Sequence, residues 1–116
     1  MERLQAMLKN THFDFDKFVI KNNEIPNLKK LAKILKDHPE LGVRIEGNCD
    51  ERGTNEYNLA LGEKRALAAK DYLTGKLGVP EMKIRTSSNG EDKPLCEEHT
   101  EDCWAKNRNA TYILTQ

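Results

Sequence analysis

The spacing of apolar residues along the first half of the chain predicts a strand, a helix and a second strand. Residues 12–18 alternate aromatic with polar side chains, which is a strand pattern. Between about residues 23 and 36 the apolar positions recur at helical intervals, with lysines on the other face. These positions are Ile25, Leu28, Leu31 and Leu35. Alternation returns over residues 43–47 and predicts the second strand.

The second half of the chain predicts a long helix followed by two strands. Thr54 is a plausible N-cap, and a helix should run from about residue 55 to residue 76. Its expected buried stripe has small residues in the middle, which would let the helix lie close to a sheet. The stripe is Leu59, Gly62, Ala66, Ala69 and Leu73. Strands are predicted at 82–86 and 110–115, separated by a polar loop with one helical turn around 103–107.

The order of elements is therefore β-α-β-α-β-(loop)-β. This order predicts an α/β (α+β) two-layer sandwich, in which a mixed four-stranded sheet carries both main helices on one face. We expect residues 1–10 to form an N-terminal linker or frayed helix, and residues 11–116 to form the domain.

Length and charge exclude several classes of protein. The 116 residues suit one domain. The 19 basic residues balance the 19 acidic ones, which argues against a general nucleic-acid binder. No apolar run approaches the roughly 20 residues that span a bilayer. Residues 1–10 carry no signal or lipidation motif, so we expect any targeting segment to lie outside this sequence.

Three cysteines leave at least one without a partner in the chain. Cys96 and Cys103 flank a short polar loop, a spacing compatible with a local disulfide or with two thiols. A zinc site would need more ligands than these two and the nearby His99, so we expect no metal. Cys49 lies beside an acid, but no histidine stands in a pattern that would activate it as a nucleophile.

The densest group of polar side chains occupies residues 47–54, between the second strand and the long helix. Loops at this place in an open α/β sheet commonly bind a ligand. Asn58, Leu61 and Arg65 follow along one side of the helix, and a turn that folds back would direct Arg65 toward Asp50. An acid and an arginine in one cavity would suit a ligand with an ammonium and a carboxylate on neighbouring atoms. The alternative is an Asp50–Arg65 salt bridge that only braces the loop.

Three segments of the sequence resemble the OmpA-like family of peptidoglycan-binding domains. They are FDFDK at 13–17, EGNCDERGTNEYN at 46–58 and LGEKRA at 61–66. The match extends from about residue 12 to residue 114, in the right order and spacing. The DERGT run favours the peptidoglycan-associated lipoprotein branch (Pal) over OmpA porin tails and flagellar stator domains.

The resemblance implies a function in the bacterial cell envelope. Family members bind the diaminopimelate of the peptidoglycan stem peptide non-covalently, without a cofactor. The implied protein tethers the outer membrane to the wall from its periplasmic side, with Tol-system proteins as partners. It would contact the membrane only through an N-terminal lipid anchor outside this sequence. The oxidising periplasm then favours a Cys96–Cys103 disulfide, and their loop resembles that of a subset of the branch.

The resemblance also assigns a ligand site. The family's acid falls on Asp50 and its ligand-gripping arginine on Arg65, with other expected contacts around them. The predicted ligand-binding residues are Asp50, Arg65, Asn58, Leu61, Asp16, Cys49 and Arg108. We expect alanine at Asp50 or Arg65 nearly to abolish wall binding with little loss of stability, as for an exposed ion pair.

Three departures from the family pattern concern polar residues. Asn109 stands in place of the second arginine of a late Asn-Arg-Arg motif, and Asn89 in place of an aromatic residue. Asn48 and Cys49 replace a His-Ala or His-Thr pair. Because a backbone donor at Cys49 would survive that change, we expect binding to persist.

Two other functions stay open at the level of sequence. A wall-cleaving amidase or glycosidase would need a metal cluster or two spaced catalytic carboxylates. Asp50 and Glu51 are adjacent and would point apart on an extended segment, so we expect no enzyme. An OmpA-like protein–protein adaptor of the envelope would not bind the wall at all. Trp104 is expected to cover the core, with a partner contact as the alternative.

Overall fold

The computed structural model describes all 116 residues and contains four helices and four strands. The strands are β1 (Thr11–His12), β2 (Gly42–Asn48), β3 (Ile84–Gly90) and β4 (Asn109–Thr115). The helices are α1 (Glu2–Ala6), α2 (Ile25–Asp37), α3 (Asn55–Gly75) and α4 (Glu101–Asn107). Single 3-10 turns at Asn22–Glu24 and Glu81–Lys83 lead into α2 and β3. None of these helices combines the length and apolar composition that crossing a membrane requires.

The strands form one mixed sheet in the order β1-β4-β2-β3. β2 is parallel to β3 and antiparallel to β4, and β1 pairs antiparallel with β4. The parallel pair is joined by α3, the kind of crossover that parallel neighbours require. The predicted mixed four-stranded α+β architecture is confirmed. The crossover also places the start of α3 beside the end of β2, where the candidate site lies.

Apolar side chains from both long helices and from the strands share one core. The helices contribute Leu28, Leu31, Leu35, Ala66, Ala69 and Leu73, and the strands contribute Val43, Ile45, Tyr112 and Leu114. Leu59, which the sequence placed in the buried stripe, is 37% exposed. The buried side of α3 instead begins at Asn58 and Leu61, because the helix is rotated to direct these residues and Arg65 inward.

Two glycines let α3 lie directly on β2. A Cβ atom at Gly47 would overlap the carbonyl oxygen of Gly62, and one at Gly62 would lie 2.8 Å from the carbonyl oxygen of Gly47. Only glycine fits where two backbones approach this closely. Arg65, one turn further along α3, is thereby held against the end of β2.

Two strands differ from their sequence prediction. The first is only two residues long, and residues 13–18 form a loop in which Asp16 has a left-handed backbone (φ 56°). Phe13 is buried in the core, but Phe15 and Phe18 are exposed, so the alternation of aromatic and polar residues marks no buried face beyond Phe13. β3 extends beyond the predicted end at residue 86 to Gly90. Its second half is polar, and only pairing with β2 identifies it as strand.

The N-terminal helix α1 packs against the sheet edge. Leu4 and Leu8 pack against the core. Gln5 donates from its side-chain amide to the carbonyl of Tyr112 (2.7 Å) and accepts from the N–H of Leu114 (2.8 Å). These two groups belong to the part of β4 that β1 is too short to reach. The side chain of Gln5 therefore pairs with β4 where the neighbouring strand has ended.

Candidate functional site

A cavity of about 230 Å³ opens where β2 ends and α3 begins. It is lined by Phe15, Asp16, Cys49, Asp50, Arg52, Gly53, Tyr57, Asn58, Leu61 and Arg65. A larger depression of about 660 Å³ lies at the other end of β2. None of its charged side chains is buried, whereas both Asp50 and Arg65 are. We therefore take the smaller cavity as the candidate site.

Six of the seven predicted ligand-binding residues line this cavity, and Arg108 is the exception. Four lining residues were missed: Phe15, Arg52, Gly53 and Tyr57. Arg52 and Gly53 lie in the polar segment that the sequence singled out, so their position was a usable signal. Phe15 and Tyr57 gave none, because an exposed aromatic ring at a cavity rim leaves no periodic pattern.

Asp50 is held by two arginines and is only 4% exposed. Its Oδ1 accepts hydrogen bonds from the backbone N–H (3.0 Å) and Nε (3.2 Å) of Arg52. Its Oδ2 accepts from Nη2 of Arg52 (2.9 Å) and from Nη1 of Arg108 (3.4 Å). Burial alone would raise the pKa of Asp50, but the bonds from Arg52 and Arg108 outweigh it and lower the pKa. The carboxylate is therefore ionised, and these four bonds fill its roughly four acceptor positions.

Arg65 is held by the backbone and is 1% exposed. Its Nε donates to the carbonyl of Lys17 (2.9 Å), Nη1 to that of Asn48 (2.8 Å) and Nη2 to that of Asp14 (3.1 Å). Burial lowers the pKa of Arg65, an effect opposed by the nearby Cys49 and Asp50. Three of the five N–H donors of a guanidinium are thus used, which leaves two for a carboxylate.

The structure contains no salt bridge between Asp50 and Arg65, since each has other partners. The brace alternative in its simple form is therefore wrong. So is the picture of an exposed ion pair, because both side chains are buried. Arg65 does brace the fold, but through three backbone carbonyl groups, two in the loop after β1 and one at the end of β2.

Asn58 and Cys49 fix the floor of the cavity. The amide of Asn58 donates to the carbonyl of Arg52 (3.0 Å) and to Oε1 of Glu91 (3.2 Å). The N–H of Cys49 donates to the carbonyl of Gly90 (2.8 Å). The expectation that this N–H is available to a ligand is therefore wrong, because it already donates to the carbonyl of Gly90. Burial raises the pKa of the Cys49 thiol to about 11, so the thiol stays protonated at neutral pH.

The rim includes Asp16 and Tyr57 beside the exposed Phe15, and Leu61 supplies a buried apolar side chain to the wall. The hydroxyl of Tyr57 donates to Oδ1 of Asp16, and this bond raises the pKa of Tyr57. The rim is thus one hydrogen-bonded unit that links the loop after β1 to the first turn of α3.

Arg52 is stacked between two aromatic rings. The carbon of its guanidinium lies 4.1 Å from the ring centre of Phe15 and 4.2 Å from that of Trp104. Trp104 belongs to α4, and its Nε1 donates to Oε1 of Glu51 (2.8 Å). The expected position of Trp104 over the core is wrong, because its ring lies on Arg52 beside the cavity.

A disulfide joins Cys96 to Cys103 in α4, with their Cα atoms 5.3 Å apart, while Cys49 is free and buried. His99, in the loop that this bond closes, pairs with Glu51 instead of a sulfur. No three His, Cys, Asp or Glu side chains are grouped to hold a metal ion. The disulfide therefore ties α4, and with it Trp104, to the loop beside the cavity.

Arg108 lies behind Asp50 and outside the cavity wall. Its Nε donates to the carbonyl of Phe13 (3.0 Å) and its Nη2 to Oε1 of Glu101 (2.8 Å), while Nη1 supports Asp50. In this structure Arg108 positions the acid and does not reach the space in front of it.

The three asparagines that depart from the family pattern contact one another. Asn89 donates to Oδ1 of Asn48 (3.0 Å), and Asn48 donates to Oδ1 of Asn109 (2.8 Å). None of them lines the cavity. Because each supplies the partner of the next, the three asparagines form one network outside the cavity wall, whereas Cys49, the remaining replaced residue, lines the cavity.

Comparisons with known proteins agree on one family. The model of the OmpA family matches residues 12–109. The peptidoglycan-associated lipoprotein of Brucella melitensis is 42% identical over 102 residues, which cover 88% of this chain and 60% of that protein. The one from Haemophilus influenzae is 46% identical over 107 residues, 92% of this chain and 69% of that protein.

A solved structure resembles the whole domain. The crystal structure of the peptidoglycan-associated lipoprotein from Burkholderia pseudomallei superimposes with a TM-score of 0.90 at 40% identity, covering 96% of this chain and 93% of that one. The chain nevertheless spans only about 60% of the length of the Brucella relative.

Proposed function

This chain belongs to the OmpA family, and from that premise we propose that it is a non-catalytic domain that binds the diaminopimelate of the peptidoglycan stem peptide. Its relatives are peptidoglycan-associated lipoproteins, which supports an association with peptidoglycan. The cavity supports the choice of diaminopimelate, whose side chain ends in an ammonium and a carboxylate on one carbon atom.

The observation that carries this proposal is the buried Arg65 beside the ionised Asp50. A carboxylate that enters the cavity can accept two hydrogen bonds from the donors that Arg65 leaves unused. The neighbouring ammonium then lies near Asp50. Because the pKa of Asp50 is lowered, this carboxylate carries a full negative charge at neutral pH. Leu61 supplies apolar contact for the methylene groups of the side chain.

For the whole protein we infer a tether between the outer membrane and the cell wall. The domain would act on the periplasmic side, held by an N-terminal lipid anchor and assisted by Tol-system proteins. The disulfide supports an oxidising compartment. The relatives named as lipoproteins support the anchor.

Titration calorimetry with two synthetic stem peptides tests the proposal. The first carries meso-diaminopimelate, and the second carries lysine, which lacks the side-chain carboxylate. We expect the lysine peptide to bind at least about ten-fold more weakly, because the spare donors of Arg65 stay unpaired. Asp50→Asn should nearly abolish binding, whereas Asp71→Asn, the same change at an exposed position of α3, should not affect it.

Other results would support the alternatives. An adaptor would bind neither peptide. An enzyme would release soluble fragments from purified peptidoglycan, which we expect to stay intact.

A further inference from the structure

The side chain of Arg52 occupies the place where a ligand ammonium would bind. Its Nε and Nη2 donate to the two oxygens of Asp50 at 3.2 and 2.9 Å. With the backbone N–H of Arg52 and Nη1 of Arg108, these donors leave no acceptor position on the carboxylate unused. A second cation can therefore reach Asp50 only if a donor leaves.

Arg52 is the donor that can leave. Arg108 is buried and anchored to the carbonyl of Phe13, whereas the side chain of Arg52 is 32% exposed. Its Nη2 also lies 3.7 Å from Oε2 of the exposed Glu101, so a second anionic partner stands within a small rotation. The rings of Phe15 and Trp104 hold the guanidinium between these two acids.

We propose that Arg52 is a specificity-determining gate of this site, an internal cation that a ligand must displace from Asp50. The inference rests on the proposed function and adds a selection rule to it. A ligand with a carboxylate alone can reach Arg65 but leaves Arg52 in place. A ligand that also carries an ammonium replaces the hydrogen bonds of Arg52 and moves its guanidinium toward Glu101.

The gate weakens binding in a measurable way. If Arg52 is off the carboxylate for about one part in ten of the time, the apparent affinity for the ligand falls about ten-fold. Removing the guanidinium should therefore raise the affinity for ligands that carry an ammonium by about that factor. The affinity for ligands without an ammonium should not change.

The test compares Arg52→Gln with the parent protein and with Arg85→Gln, a matched change at an exposed position of β3. Each protein is titrated with the diaminopimelate stem peptide and with its aminopimelate analogue, which keeps the side-chain carboxylate but lacks the ammonium. We expect Arg52→Gln to bind the diaminopimelate peptide about ten-fold more tightly and the analogue equally, with Arg85→Gln like the parent. Unchanged binding of the diaminopimelate peptide would overturn the gate. Weaker binding of both peptides would show instead that Arg52 contacts the ligand.

Trp104, the only tryptophan in the chain, provides a second measurement. Its fluorescence should change when the diaminopimelate peptide saturates the parent, because Arg52 shifts against its ring, and should stay constant in Arg52→Gln. A parent that binds with constant emission would contradict displacement. The proposed function fails separately, if neither the parent nor Arg52→Gln binds the diaminopimelate peptide.

Discussion

The two charged groups of the cavity are held in opposite ways. Arg65 is fixed by carbonyl groups of Asp14, Lys17 and Asn48, which belong to the backbone and cannot turn away. Asp50 is held largely by the side chain of Arg52, which is partly exposed and has another acid within reach. One half of the site is therefore part of the fold, and the other half can exchange its partner.

The difference bears on how a binding site can be both stable and selective. A guanidinium held by three backbone carbonyls is fixed in position before a ligand arrives, which is preorganisation. A carboxylate covered by a side chain avoids an unpaired buried charge in the empty protein, yet can still be uncovered. Mutations should distinguish the backbone contacts that hold Arg65 from the side-chain contacts that hold Asp50.

The largest effect should follow from Arg65→Ala. It leaves three backbone carbonyls without their donor and removes a buried side chain, so we expect a loss of about 3–5 kcal/mol in the free energy of unfolding. Denaturant unfolding at neutral pH measures this. The sequence predicted only a small loss of stability, as for an exposed ion pair. The larger loss is expected because Arg65 is buried and makes three hydrogen bonds to the backbone.

Arg65→Lys is the control for that experiment. Lysine keeps the charge but cannot reach three carbonyls from one ammonium, so its stability should lie between those of the parent and the alanine variant. If Arg65→Ala unfolds at the same denaturant concentration as the parent, Arg65 does not stabilise the fold, and the two charged groups of the cavity do not differ in this way.

A smaller effect is expected from removing the disulfide in Cys96→Ser/Cys103→Ser. The short loop that it closes corresponds to a loss of about 2–3 kcal/mol in unfolding free energy, since the unfolded chain gains freedom. The parent in reducing buffer should behave like the double variant. Because the disulfide holds α4 and not Arg65, binding of the stem peptide should survive in the double variant. A loss of binding would show that the positions of both Asp50 and Arg65 depend on α4.

The smallest loss of stability, about 1–2 kcal/mol, should follow from Asp50→Asn, because Arg52 and Arg108 keep other partners. The pKa of Asp50 is lowered in the folded protein from its usual 3.8. Its contribution to stability is therefore fully present above about pH 4 and disappears as the pH falls through the lowered folded value. The difference between parent and variant, measured by urea unfolding from pH 7 downward, should be constant at first and shrink below pH 3.8. A difference that stays constant in acid would mean that the charge of Asp50 contributes nothing.

Much of the fold follows from apolar periodicity, and the exceptions share a cause. The leucines of α2 and the small residues of α3 predict their helices because burial imposes a period on them. The second half of β3 lacks such a period, and the alternation in the loop after β1 does not come from burial, since Phe15 and Phe18 are exposed. Ser87 and Ser88 are strand residues only because β2 pairs with them, and Phe15 is exposed at a cavity rim.

The sequence predicted most of the residues that line the cavity, but not the hydrogen bonds between them. Residue type and helical spacing directed attention to Asp50, Asn58, Leu61 and Arg65, and all four line the cavity. Which donor each acid takes is decided by side-chain rotation and by a loop distant in sequence. Arg52 therefore could not be distinguished from any other charged residue in its segment.

The pairing of Gln5 with β4 has a consequence for how copies of this domain behave in solution. The open edge of a sheet is a template on which another chain can add a strand, and this is a common start of aggregation. A primary amide presents a donor and an acceptor in the arrangement of a peptide group, so one side chain covers the position that β1 leaves vacant. We therefore expect the first ten residues to hinder the addition of another strand at this edge, although they contribute no strand and no residue to the cavity wall.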